Sequence, residues 1–362
     1  MSKYDKNHHG AANGQKIVLS MLCVLLALVL FVLIFMTAYI HHLLNRMNRI
    51  DPSTESSLSF SEALDMMYTN PDLVTMDPNS TETYIDINDV TFPTESTESV
   101  YPTDHGEHII NILLVGQDRR EHENYRTRSD TMILVTFNTN KNSITLTSFM
   151  RDSYVQIPGY APNKLNAAYA YGGMNLLNKT LLVNFGVVVD GVVEVDFSRF
   201  EKVINLLGGV EITLTQKEAD YLNEEHGYHL RAGTQILDGE KTLNYSRIRY
   251  IDSDYQRTAR HRNVITSLVK RFKNKSLAEG IVILEDVLPL VTTNMSNSDI
   301  ISLAISLFPM LSTAQINNQR IPVDGTFDAG YAQVRDGLYD WFQYNIDFES
   351  NRDILNRIFS AN

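Results

Sequence analysis

From Ile17 to Ile40 the chain runs for 24 residues without a charge, IVLSMLCVLLALVLFVLIFMTAYI. At about 1.5 Å per residue a helix of that length crosses a hydrocarbon core of roughly 30 Å, which predicts one transmembrane helix over residues 17–40. A cleaved signal peptide fits less well, because its apolar region is shorter and ends in a small-x-small site that Met36-Thr37-Ala38 does not supply. Lys3, Lys6 and Lys16 precede the run and Arg46 and Arg49 follow it, so the positive-inside bias puts a tail of residues 1–16 in the cytoplasm and the bulk of the chain outside. The only cysteine, Cys23, falls inside the run, so neither an intrachain disulfide nor a cysteine-rich metal site is available.

The formal charge of −12 over 362 residues argues against a free-standing nucleic-acid binder. Its distribution says more: +4 over residues 1–50, −13 over 51–107 with no Lys or Arg, and −3 over 108–362. Residues 41–107 therefore read as a disordered, acidic, Ser/Thr-rich linker that repels itself into an extended spacer, with one short helix over Leu58–Tyr68. The pairs His8-His9 and His41-His42 lack further ligands and carry no metal assignment.

At residue 108 the texture changes to short apolar runs bounded by turn residues. Ile109–Val115, Thr131–Phe137 and Ser143–Phe149 have strand length and composition, and residues 138–142 form a turn between the last two. If the three run up, down and up, the end of the first, the start of the second and the end of the third share one edge of a sheet. That edge would gather Asp118 and Arg120, then Arg128 and Asp130, then Arg151 and Asp152. Lys164–Gly173 predicts a short helix stopped by a glycine pair, with a second helix through Val183; Gly186–Val195 reads as a strand or hairpin. Phe197–Leu207 reads as helix up to Gly208-Gly209, and Val210–Leu214 as strand. Alternating strands and helices predict a three-layer α/β/α domain with a central mixed sheet over residues 108–274.

A second arginine cluster, Arg247, Arg249, Arg257, Arg260 and Arg262, contains no lysine. In an extended Tyr245–Tyr250 the first two would project to one side, and Arg257 and Arg260 would share a face of a helix running through Lys273. Guanidinium groups give a planar, bidentate match to phosphate or carboxylate oxygens, so on a nearly neutral domain they imply a local anion pocket. Salt bridges to Asp252 and Asp254 are the alternative.

Taken in order, Gly116-x-Asp118-x-Arg120, Arg128-Ser129-Asp130, Met150-Arg151-Asp152, Asn163-Lys164-Leu165-Asn166-Ala167-Ala168-Tyr169, Gly172-Gly173, Gly208-Gly209-Val210, Leu237-Asp238-Gly239-Glu240, Tyr245-Ser246-Arg247-Ile248-Arg249 and Asp254-x-x-Arg257-x-x-Arg260 resemble the LytR-CpsA-Psr family. The resemblance implies a membrane-anchored phosphotransferase that moves a glycopolymer of teichoic acid or capsule type from an undecaprenyl-pyrophosphate carrier to the muramic acid 6-hydroxyl of peptidoglycan. It implies Asp118 and Asp130 as ligands of Mg²⁺ (or Mn²⁺), and Arg120, Arg128, Arg151, Arg247, Arg249, Arg257 and Arg260 around the pyrophosphate. Arg151, Asp152 and Asp254 would be catalytic, the carboxylates orienting the arginines or helping proton transfer. The residue types suit that chemistry: magnesium takes hard oxygen ligands, and phosphoryl transfer needs mainly positioning and charge neutralisation. A lipid pyrophosphatase, or a regulatory protein that binds the lipid-linked polymer without turnover, remains the alternative.

Two departures from the family pattern stand out: Met150 replaces the usual proline, and His261 the glutamine that commonly follows the last arginine. The family's tunnel for the polyprenyl chain could be lined by Ala167, Ala168, Ala170, Val187, Val189 and Val193, though the same pattern also describes ordinary core. Residues 275–362 are read as an extension packed on the catalytic domain, with helices at Leu277–Val291 and Asp299–Leu311, an edge strand at Gln315–Pro322, and a helix over 336–347 carrying the only tryptophan, Trp341.

Overall fold

In a computed structural model of the chain, short apolar runs buried on both faces make the centre of the molecule. The structure describes residues 31, 34–51, 54–69, 72–75, 84–87, 90, 92, 106, 108–117, 126–249, 251–252, 254–273, 277–311, 313–335 and 337–360. Seven strands form the main sheet: β1 (Asn48–Arg49), β2 (Ile109–Gln117), β3 (Ser129–Asn138), β4 (Ser143–Phe149), β5 (Gly191–Asp196), β6 (Thr292–Thr293) and β7 (Gln315–Ile321), in the spatial order β1-β6-β5-β2-β3-β4-β7. The sheet is mixed: β2–β3, β3–β4 and β5–β6 are antiparallel, whereas β2–β5, β4–β7 and β1–β6 are parallel.

Alternation sends Leu113, Val115, Met132, Leu134 and Phe149 to one face, and Leu114, Ile133, Val135, Ile144 and Leu146 to the other. The helices that position the site are α1 (Phe60–Tyr68), α2 (Leu165–Phe185), α3 (Phe197–Leu206), α4 (Gln216–His226), α5 (Gly239–Ser246) and α6 (Asp254–Lys273). The first face is covered by α2 and by the C-terminal helix Phe348–Phe359, and Ile265 of α6 packs on the second. The expected layering of helices on both faces is therefore present. From residues 275–362, β7 is an edge strand of the main sheet, and Phe348 and Leu355 lie in the core.

Helix α2 breaks at Gly172-Gly173, where Gly173 has φ +65°, a value that suits glycine. The Glu55 carboxylate occupies the space beside that glycine and accepts from the backbone N–H groups of Met174 (3.1 Å) and Asn175 (3.0 Å), as an anion does at a helix start. This corrects the reading of residues 41–107 as an extended spacer throughout. Besides Glu55, β1 joins the main sheet, Ser59 and Glu62 close a capping box on α1, Ala63 is buried, and Tyr84–Asp86 pairs with Asp328–Arg335. Two further expectations fail. The helix expected over 336–347 is instead a strand, Leu338–Tyr344, paired antiparallel with Asp328–Arg335 and entered through Gly337 at φ +76°. Within the expected extended segment 245–250, residues 245–247 are not extended: Asp238 caps α5, and Arg247 closes it.

The chain divides after Met47 into two units. In the first, residues 34–44 are helical; positions 17–30, 32 and 33 of the expected transmembrane helix lie outside the described residues, as does the tail 1–16. Among the described residues no helix is long and apolar enough to cross a membrane.

Candidate active site

The β2–β3–β4 meander delivers its polar clusters to one edge, with Gly116 opposite Thr131 and Ile133 opposite Ser148. Asp130 is the hub there. Its Oδ1 accepts from Arg151 Nη1 at 2.7 Å, and its Oδ2 from Arg249 Nη2 at 3.3 Å. Arg151 Nε lies 3.4 Å from Asp152, and at the start of α6 Arg257 pairs with Asp254 one turn earlier. Asp118 and Arg120 lie outside the described residues.

The environment separates the carboxylates. Burial pushes Asp130 upward, but Arg151, Arg257 and Arg249 outweigh it and hold its carboxyl below the ordinary value. Asp152 is likewise held down, against its burial, by Lys164 and Arg151. Asp254 goes the other way, because burial prevails over Arg257 and Arg151, and Asp152 and Asp130 repel its charge. Burial lowers the Arg257 guanidinium too, reinforced by Arg151. Arg151 is raised in spite of burial by Asp152, Asp130 and Asp254. Two carboxyl groups pushed apart in this way suit two roles, a permanent anion and a proton carrier.

Several donors at this edge are unsatisfied. Arg151 Nε and Arg257 Nε are buried without a hydrogen-bond acceptor, and Asp254 Oδ2 is buried without a donor; Arg128 Nη1, just before β3 and near Tyr171 of α2, is likewise unsatisfied. Orphaned guanidinium N–H groups are what an oxyanion ligand satisfies. The donor set also suits a hard divalent cation in part: Asp130 is an ionised carboxylate at the edge, and such ions take their remaining ligands from phosphate oxygens and water. Among the described residues no group of three or more His, Cys, Asp or Glu is placed to hold a metal alone.

Arg260 is not brought to this edge. Its Nε lies 2.7 Å from Glu218 Oε1 on α4, Nη1 donates to the Ile248 carbonyl at 3.2 Å, and Nη2 pairs with Asp252. Three residues along a helix is a rotation of about 300°, enough to turn Arg260 from the site toward α4. The salt-bridge alternative therefore holds for Arg260. Arg247 sits over the Phe197 ring at 5.0 Å.

Behind the charges lies a cavity of about 210 Å³ between the second sheet face and helices α3, α5 and α6. Asp130, Arg247, Arg249, Arg257 and His261 line one part, and Leu114, Val193, Phe200, Val203, Val264 and Leu268 another. Register gives it a polarity. Gly116, Thr131 and Val195 are neighbours at the charged edge, and Leu114, Ile133 and Val193 lie two residues further in. Along α6 the order repeats, from Arg257 and His261 to Val264 and Leu268, over roughly 16 Å. Between the two parts, His261 is kept neutral, with its pKa lowered to about 3 by burial and Arg257. Its Nε2 donates to the Ser246 carbonyl at 3.0 Å, leaving Nδ1 to accept from Thr131 Oγ1 at 3.1 Å.

The residues expected to line a tunnel are mostly elsewhere. Ala167, Ala168, Ala170, Val187 and Val189 belong to the core on the opposite face, under α2, and only Val193 lines the cavity. The aromatic wall of α3 was missed in the sequence, as was Lys164, whose Nζ is 3.1 Å from Asp152 Oδ1. Lys164 stands inside a recognised motif, but no local pattern announces its partner.

The LytR_cpsA_psr family model matches residues 43–347. The Bacillus subtilis polyisoprenyl-teichoic acid–peptidoglycan teichoic acid transferase TagT is 35% identical over 257 residues, which cover 69% of this chain and 77% of that protein. The solved structure of TagT bound to LIIa-WTA superposes with a TM-score of 0.57 at 29% identity, covering 74% of this chain and 95% of the other. The structure of YwtF (TagT) with bound octaprenyl pyrophosphate lipid gives a TM-score of 0.53 at 27% identity, covering 73% and 94%.

Proposed function

This chain belongs to the LytR-CpsA-Psr family, and from that premise we propose that it transfers a glycopolymer of teichoic acid or capsule type from a polyprenyl-pyrophosphate carrier to muramic acid of peptidoglycan, outside a membrane in which residues 17–40 anchor it. The observation that carries this reading is the graded cavity. Buried, unsatisfied guanidinium N–H groups stand where a pyrophosphate would lie, and an apolar chamber continues from them as a prenyl tail requires. TagT, by name a teichoic acid transferase, and its complex with octaprenyl pyrophosphate lipid support the same assignment.

In the reaction the acceptor hydroxyl oxygen bonds to the phosphorus that carries the glycopolymer, and the bond from that phosphorus to the bridging oxygen breaks, releasing polyprenyl phosphate. Arg151, Arg249 and Arg257, together with Arg128, bind the pyrophosphate and neutralise the charge gathering on the leaving phosphate. Asp254, whose carboxyl is raised toward the working range, takes the proton from the hydroxyl. Asp130 stays ionised, orients Arg151 and Arg249, and with Asp118 would hold Mg²⁺, which supplies charge neutralisation when bound.

The test is to incubate the full chain with a labelled lipid-pyrophosphate oligosaccharide and Mg²⁺, with and without peptidoglycan oligomers. Label in the peptidoglycan is the expected result. Free phosphorylated sugar in both arms would reassign the site to a lipid pyrophosphatase, and binding without turnover would reassign it to a regulatory protein.

A further inference from the structure

Lys164 stands outside the arginine set but belongs to the same charge balance. Almost wholly buried just before α2, its ammonium lies 3.1 Å from Asp152 and 2.6 Å from Asp340, over the Phe342 ring at 5.3 Å. Asp340 comes from the hairpin of the extension, 176 residues further along the chain. From it the charges alternate inward through Lys164 and Asp152 to Arg151 (3.4 Å), Asp130 (2.7 Å) and Arg249 (3.3 Å). One backbone and one side-chain hydrogen bond also tie Asp152 and Ser153 to the hairpin: Gln343 N–H donates to the Asp152 carbonyl at 2.9 Å, and the Ser153 hydroxyl to Gln343 Oε1 at 3.2 Å.

A buried ammonium shared by two carboxylates is held between them. With Asp340 replaced by an uncharged amide, Lys164 pulls on Asp152 alone, and the long contact from Asp152 to Arg151 Nε gives way first, since that nitrogen has no hydrogen bond to hold it. We propose that Asp340, acting through Lys164 and Asp152, is a positioning residue that aims the Arg151 guanidinium at a bound pyrophosphate, so that the C-terminal hairpin completes the active site. The inference rests on the pyrophosphate reading of that site.

The test is titration of farnesyl pyrophosphate into the full chain, wild type beside Asp340→Asn, Lys164→Met and Lys164→Arg, with thermal unfolding of each. Asp340→Asn and Lys164→Met are expected to bind about tenfold more weakly, the worth of one misaligned charged hydrogen bond. Lys164→Arg, which keeps a cation between the carboxylates, should recover affinity to within about threefold of wild type. A through-space effect has the opposite sign for Asp340→Asn, because removing a negative charge near an anion tightens binding; that result overturns the proposal. Unchanged affinity with a lowered Tm makes the pair a structural tie only, and overturns it too. Should Asp340→Asn fail to fold, the lysine pair decides, and equal weakening by Met and Arg counts against the idea. A wild-type chain that does not bind farnesyl pyrophosphate removes the pyrophosphate reading and this inference with it.

Discussion

At the scale of single residues, the site separates side chains of one type by their partners. Arg151 and Arg257 are buried beside carboxylates yet keep unsatisfied N–H groups, whereas Arg260 spends its guanidinium on Glu218, Asp252 and a carbonyl. Arg257→Ala, which strips one carboxylate of its partner where Arg260→Ala strips two, should therefore cut turnover by about 10²–10³-fold with the smaller loss of Tm, checked by transfer kinetics and calorimetry. Arg260→Ala should do the reverse. It leaves two carboxylates without their buried cation and should cost about 3 kcal/mol in denaturant unfolding, with kcat in the folded protein largely kept. The pH dependence follows from Asp254. A base with a raised pKa loses its active, ionised form as pH falls through that value, so the acid limb of kcat should lie above the ordinary Asp value of about 3.9. Asp254→Asn should remove the limb together with most of the rate; a limb at or below the ordinary value would place the proton elsewhere.

At the scale of elements, the strands were legible because short apolar runs bounded by turn residues stand out in isolation, and the three-strand meander was enough to foresee Asp130 beside Arg151. The cavity's side of the sheet was not legible. Small and branched residues such as Ala167, Val187, Val193 and Val195 occur on both faces, and only the packing of α2 against one and α6 against the other tells them apart. Residues 245–249 misled for a different reason: alternate arginines imitate a strand, while the signal that decided, Asp238 as N-cap of α5, lies further upstream. Leu268→Trp probes the element-level claim, since it fills the apolar end of the cavity and spares the arginines. Affinity for a long-chain polyprenyl pyrophosphate should fall at least about tenfold, and that for geranyl pyrophosphate should stay within about twofold. Equal loss for both would mean that the chamber does not hold the tail.

At the scale of the whole molecule, the partition of charge remains informative after the fold is known. The near-neutral domain conceals an arginine-lined edge, and part of the acidic stretch is built into that domain through Glu55, α1 and Tyr84–Asp86. Contacts such as Lys164 with Asp340 could not be read from sequence, because nothing local links residues so far apart. The central claim is that a lipid pyrophosphate lies with its head on the arginines and its tail between α6 and the sheet. Photo-crosslinking with a polyprenyl pyrophosphate carrying a diazirine at the end of its tail, followed by peptide mass spectrometry, measures this directly. The account predicts label on the wall formed by Val203, Val264 and Leu268; label on Ala167, Ala168 or Val187, across the sheet, would contradict it.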